Sequence, residues 1–179
     1  SVAIGDPLYR PFKVSLAEQL KFSEESTFTA YASIRETNRI LAEEGSKPAI
    51  AYARSEFISQ PSLALAYRLA QLYASEAKDR EAVEVLKIIR FMTSYSVDDF
   101  VLIQKIANFL HKRGESEMAF NIYKNLLEER VLDKQLKIAL FQGGARIAVT
   151  QNEPVIASRW NLEASKLKSP PTPKPVNKK

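Results

Sequence analysis

One pattern occurs twice in the middle of the chain, LALAYRLAQLYASEAKDREAVEVLKII and then FVLIQKIANFLHKRGESEMAFNIYKNL. Ala70 and Ala107 hold the same place in the two copies, as do Ala82 and Ala119, and Leu86 and Tyr123, all three pairs at one and the same stride. A fixed period between about 20 and 50 residues is the signature of units that stack on one another, because one unit alone cannot bury its apolar face. Within each copy the two alanines are separated by the same interval, and Ala145 and Ala157 repeat that interval further on. Apolar residues recur at helical spacing on either side of each alanine. The expectation is an all-α chain of antiparallel helix pairs.

The helix signals follow the chain in order. Ser15-Leu16-Ala17-Glu18 has the form of a capping box, in which hydroxyl and carboxylate each satisfy a backbone N–H of the first turn. Thr27 to Glu44 reads as a helix with Phe28, Tyr31, Ile34 and Leu41 inward, stopped by Gly45. Ser46-Lys47-Pro48 opens a helix to about Ser59, since proline is tolerated in a first turn where no N–H is missed. Ser62 caps a helix from Leu63 to about Ser75, and Asp79 caps its partner, Arg80 to about Met92. Ser96-Val97-Asp98-Asp99 opens the next, which Gly114 breaks; its partner carries Met118, Ala119, Ile122, Tyr123 and Leu126 to about Arg130. Asp133 opens another, with Ile138, Leu140, Phe141, Ala145 and Ala148. Asn152-Glu153-Pro154 opens the last, with Val155, Ile156, Ala157, Trp160 and Leu162, fading near Lys166.

These periods, the paired small residues and the large residue four after the second of them resemble the tetratricopeptide repeat (TPR). In that family a small residue on the first helix lets the second approach, and one on the second helix lets the next repeat dock. Ala70 with Ala82, Ala107 with Ala119, and Ala145 with Ala157 match those places, Leu69 and Ile106 the large residue before the first, and Tyr73 and Leu110 the one three after it. The chain departs from the family at the early Trp, where Ala66, Ile103 and Phe141 stand, and at the closing proline, where Ser94 and Val131 stand. The likeness covers residues 63 to 165, and 27 to 60 loosely: there Thr37 or Arg39 takes the first small place and Ala49 or Ala51 the second. It implies a right-handed α-α superhelix built of helix pairs.

Three segments follow: residues 1–14 as an arm or the remnant of a preceding domain, 15–166 as the helical repeat domain, and 167–179 as a tail too rich in proline and lysine to bury a core. Ile4 to Phe12 also resembles the end of a caspase-like or gingipain-like domain of exported bacterial proteins. That resemblance implies the C-terminal part of a larger protein, and favours an exported bacterial location over the cytoplasm. The bland alternative is an arm packed on the first helix. Pro170-Pro171-Thr172-Pro173-Lys174 fits a minimal proline-rich ligand pattern, with a plain tether as the default.

Several functions are disfavoured. The chain has no cysteine and one histidine, so disulfides, thiolate chemistry and a His/Cys metal site lack their ligands, and no cofactor is expected. His111 stands beside Lys112 and Arg113 at a helix end, where positive charge meets the negative end of the dipole. Gly143-Gly144 lacks the strand before and the Gly-Lys-Ser/Thr after it that a phosphate loop needs; close packing is its expected use. The net charge of +5 lies in the tail: Lys166, Lys168, Lys174, Lys178 and Lys179 follow the last acid, Glu163, and without those five the remaining 21 basic residues balance 21 acids. Neither a basic stripe for nucleic acid nor an apolar run long enough to span a bilayer is expected.

The expected function is non-enzymatic binding of a protein or peptide; the alternative is an accessory domain of a caspase-like hydrolase. The TPR resemblance implies a groove lined by the first helix of each pair. The positions it implies are Tyr67 and Gln71, then Gln104, Asn108 and His111, then Gln142 and Arg146. Residues 104, 108 and 111 share one helix face, apart from Ile103, Ile106, Ala107 and Leu110. Asn108 fits the family's carboxylate clamp, but Gln104 stands where that clamp uses a Lys.

Overall fold

The computed structural model describes residues 23–91, 99–128 and 133–169, with side chains from Ala30 onward. The N-terminal segment with its caspase-like stub, the Ser15 capping box, residues 96–98 of the Ser96 box and the proline-rich tail lie outside the described residues. Eight α-helices occupy the described residues: α1 (Ser23–Glu44), α2 (Ser46–Ser59), α3 (Leu63–Ser75), α4 (Asp79–Leu86), α5 (Phe100–Lys112), α6 (Ser116–Glu128), α7 (Lys134–Thr150) and α8 (Pro154–Lys168). A 3-10 helix, Lys87–Phe91, continues α4. No strand occurs among the described residues. The chain forms two compact units, one ending at Ile106 and the other beginning at Ala107, so that the division falls within α5.

In the first unit α1 packs on α2, α2 and α1 pack on α3, and α3 packs on α4. In the second, α6 packs on α7 and α7 on α8. The small residues lie where backbones must approach: Ala70, Ala82, Ala107 and Ala119 are fully buried, and Ala145 and Ala157 nearly so. In the first pair the open choice resolves to Thr37 and Ala49, both fully buried, whereas Arg39 and Ala51 are exposed. Thr37 and Ala49 keep the interval of the three alanine pairs, and stand one slightly shorter stride before Ala70 and Ala82. The repeat therefore occurs four times, its first small residues being Thr37, Ala70, Ala107 and Ala145.

The backbone repeats with the side chains. At each turn between paired helices one N–H donates five residues back: Gly45 to the Ile40 carbonyl (3.2 Å), Lys78 to Tyr73 (2.8 Å), Glu115 to Leu110 (3.0 Å) and Glu153 to Ala148 (3.0 Å). The carbonyl of that same residue then accepts from the N–H of the second small residue: Ala49, Ala82, Ala119 and Ala157. This is the Schellman way of satisfying the last carbonyls of a helix, and it requires a left-handed residue. In the last three turns that residue is Ala77 (φ 56°), Gly114 (φ 89°) and Asn152 (φ 61°), glycine alone taking it without a Cβ penalty; in the first turn the donor Gly45 itself has positive φ (96°) with an extended ψ (−177°), a combination open to glycine.

The turn explains where the caps differ from expectation. Ser62 and Asp133 do cap α3 and α7, accepting from the N–H groups of Leu65 (3.2 Å) and Leu136 (2.6 Å). Asp79 does not cap α4. Lys78 precedes the helix with no side-chain bond, since its ammonium has no acceptor to offer, and Asp79 lies in the first turn at the positive end of the dipole. Asn152 likewise belongs to the end of α7, and Pro154 begins α8. Ser46 is inside α2, with Gly45 before it.

Burial also corrects the inward faces of the outer helices. Tyr31 is 66% exposed, and Ile34 and Leu41 are only half-buried. The buried stripe of α1 is Ala30, Ser33, Thr37 and Ile40, smaller and more polar than periodicity of large residues predicts. On α8 the buried residues are Ala157, Trp160 and Ala164, while Val155 and Leu162 are exposed. Glycines 143 and 144 do serve close packing. A Cβ on Gly143 would stand 2.5 Å from the Tyr123 hydroxyl oxygen, and one on Gly144 would stand 2.9 Å from the Trp160 ring.

Candidate ligand face on the first helices

The polar residues expected to line a groove all lie on α3, α5 and α7, the first helices of the second, third and fourth pairs. They fall into two register columns. Tyr67, Gln104 and Gln142 occupy one, and all three are half-buried. Gln71, Asn108 and Arg146 occupy the other: Gln71 and Asn108 are half-buried and Arg146 is exposed. With the first pair in register, the columns extend back to Ile34 and Asn38 on α1.

In the first unit the side chains of this face are tied together. The Arg68 Nε donates to the Asn38 Oδ1 across the α1–α3 contact at 2.8 Å, and its Nη1 reaches the Gln71 Oε1 at 3.4 Å. One guanidinium thus donates to both amide oxygens, and the amide nitrogens can only donate. Gln71 therefore acts with two neighbours, Asn38 and Arg68, that sequence reasoning missed. Arg68 was legible only as a charge on a helix, and Asn38 only once Thr37 fixes the register.

In the second unit Asn108 is similarly committed. Its Oδ1 accepts from the Tyr123 hydroxyl at 2.8 Å. Tyr123 is fully buried, and the absent Cβ of Gly143 gives its hydroxyl room. A buried phenol needs an acceptor, so Asn108 has a packing role besides any role towards a ligand. His111 does not project freely from the end of α5: its Nδ1 lies 2.8 Å from the Ser116 Oγ, linking the end of α5 to the start of α6. Nearby, the Arg113 guanidinium lies 3.5 Å from the centroid of the Phe109 ring. Gln142 and Arg146 lie four residues apart on α7, one turn from each other on a shared face.

Among the described residues no group of three or more His, Cys, Asp or Glu side chains converges as a metal site would require. Nor is any helix among them long and apolar enough to cross a membrane.

No model of a known protein family matches the chain, and no curated protein matches it. Among solved structures, one from the functional characterization of Pseudomonas aeruginosa pilF aligns over 81% of this chain with a TM-score of 0.55 and 15% identity. This is a TPR-like helical repeat fold. The likeness at that identity is one of architecture, and the alignment spans 64% of the pilF chain. It agrees with a chain built of successive helix pairs.

Proposed function

We propose that the chain is a non-enzymatic module that binds a protein or peptide on the first helices of its pairs. The observation that carries this is a recurrence: the same two register positions bear Tyr67 and Gln71, Gln104 and Asn108, and Gln142 and Arg146, on a face separate from the buried alanine stripe. Side chains that neither fill the core nor, for the most part, carry full charge, repeated at the same register of each pair, offer hydrogen bonds to a partner from every first helix that bears them. Protein interaction is the role typical of such repeat folds.

The module belongs, in this reading, to a larger exported bacterial protein. The stub that led there, Ile4 to Phe12, also supports the alternative of a domain accessory to a caspase-like hydrolase; a His/Cys pair encoded upstream of Ser1 would favour that alternative.

Affinity capture from an extract of the native organism tests the binding face. Bound proteins identified with the wild-type chain should be lost with Gln104→Ala and Gln142→Ala, neither of which disturbs the Tyr123–Asn108 bond. Identical protein sets from all three chains would remove the first-helix face from consideration.

A further inference from the structure

Up to Lys168, the end of α8, 23 basic residues stand against 21 acids, a near balance that does not hold helix by helix. Neither α3 nor α5 nor α7 contains an Asp or Glu. In the first unit the cations on first helices that no acid holds share one register position: Arg35 on α1, Arg68 on α3 and Lys105 on α5. Arg35 and Lys105 are exposed and Arg68 is half-buried. Among the described residues none of the three is paired with a carboxylate. The acids of α1 that might have answered them lie on another stripe, where Glu36 and Glu43 both hold Arg39.

Arg68 is the organised member of the set. Two neutral amide oxygens, from Asn38 and Gln71, hold its guanidinium without cancelling its charge. A guanidinium whose rotamer is fixed in advance loses little entropy on meeting an anion, and its planar fork suits a carboxylate. The amide nitrogens of Asn38 and Gln71, and the cations at 35 and 105, add only donors. These positions offer positive charge and N–H donors and hold no carboxylate.

We infer that the first unit binds an extended acidic peptide, with Arg68 on the α1–α3 face as its carboxylate receptor and Arg35 and Lys105 at the same register position of α1 and α5. This rests on the peptide-binding reading and adds the ligand's chemistry. Packed helices such as α1 and α3 lie about 8–10 Å apart, and an extended chain advances about 3.3 Å per residue. Acidic side chains every third residue match that spacing. The near-neutral body and the amides beside each cation favour a peptide over a nucleic acid, whose phosphates call for charge along the whole path.

The probe is an N-acetylated, C-amidated peptide with glutamate at every third position and neutral residues between, titrated into the whole protein at low and physiological salt. Binding should weaken by about tenfold or more in Arg68→Gln and less in Lys105→Gln, and be partly kept in Arg68→Lys, which holds the charge but not the fork. The glutamine version of the peptide should not bind. Lys105 is exposed, so its variant folds whatever happens at Arg68, and circular dichroism checks both. Affinity unchanged in Arg68→Gln and Lys105→Gln would overturn the inference. So would binding that needs a free C-terminal carboxylate, or tighter binding of a single-stranded oligonucleotide of equal charge that is lost in the same variants. A neutral peptide that binds and is lost on Gln71→Ala would overturn the charge inference while leaving the binding face intact; binding of neither peptide would count against both.

Discussion

The first and last helix pairs share a backbone plan and fill it with opposite chemistry. In the last pair the positions behind the small residues are Phe141, Trp160 and Ala164, all buried, and Trp160 packs against Phe120 with ring centroids 5.8 Å apart. In the first pair the equivalent positions are Ser33, Tyr52 and Glu56. There the Ser33 hydroxyl donates to the Glu56 carboxylate at 3.0 Å, and the buried Thr37 hydroxyl donates to the Ser33 carbonyl at 2.7 Å. Burial pushes the Tyr52 phenol above its ordinary range, and the Glu56 and Glu36 carboxylates push the same way. The difference teaches that the repeat is specified by two small residues and a turn, and that the large positions behind them are free to be apolar or to form a satisfied polar seam.

Overpacking the small positions should have the largest effect, in either unit. Ala119→Trp should destabilise by about 3 kcal/mol or more, and Gly144→Ala by about 1–3 kcal/mol because its Cβ would meet the Trp160 ring, both read from urea denaturation midpoints. An unchanged midpoint in both would break the shared plan. The polar seam comes next. Ser33→Ala should cost about 1 kcal/mol by leaving Glu56 without its donor, whereas Ser33→Ala with Glu56→Leu should recover most of that loss, since an apolar pair replaces a polar one at little net cost. If the double variant is worse than the single, the seam is more than a substitute for a core. The turn gives the smallest effects. Ala77→Gly should stabilise by about 0.5–1 kcal/mol and Gly114→Ala should destabilise by a similar amount, because both positions need φ above zero. Thermal melts that move the same way in both would contradict the common turn.

Much of the fold was legible in the sequence where the small residues are alanines flanked by large apolar groups. Residues 63 to 165 read well for that reason, and the caps Ser62 and Asp133 were found because each is a short side chain with an acceptor oxygen directly before its helix. The first pair did not read well, because its small residue is a threonine and its buried stripe carries Ser33, so hydropathy pointed to Tyr31 instead. The turn was legible where Gly45 and Gly114 mark it and not at the other two pairs. Ala77 and Asn152 look like ordinary residues, and only the recurring five-residue hydrogen bond shows that they take the part of Gly114. The candidate face was legible as amides at helical spacing, but not its internal commitments. Asn108 turns out to answer a buried tyrosine from another helix, and Arg68 to gather Asn38 from another helix as well as Gln71 on its own. Charge misled when it was summed over the chain, since a near-neutral total conceals three first helices without an acid.

The register of the small residues is the claim on which the rest depends, and one paired measurement addresses it most directly. Ala107 is fully buried at a register position, and Ala42, on α1, is exposed away from one. Urea denaturation of Ala107→Leu and Ala42→Leu, side by side with the wild type, should show a loss of about 1–3 kcal/mol for the first and a change within about 0.5 kcal/mol for the second. Equal effects at the two positions, or none at Ala107, would contradict the register.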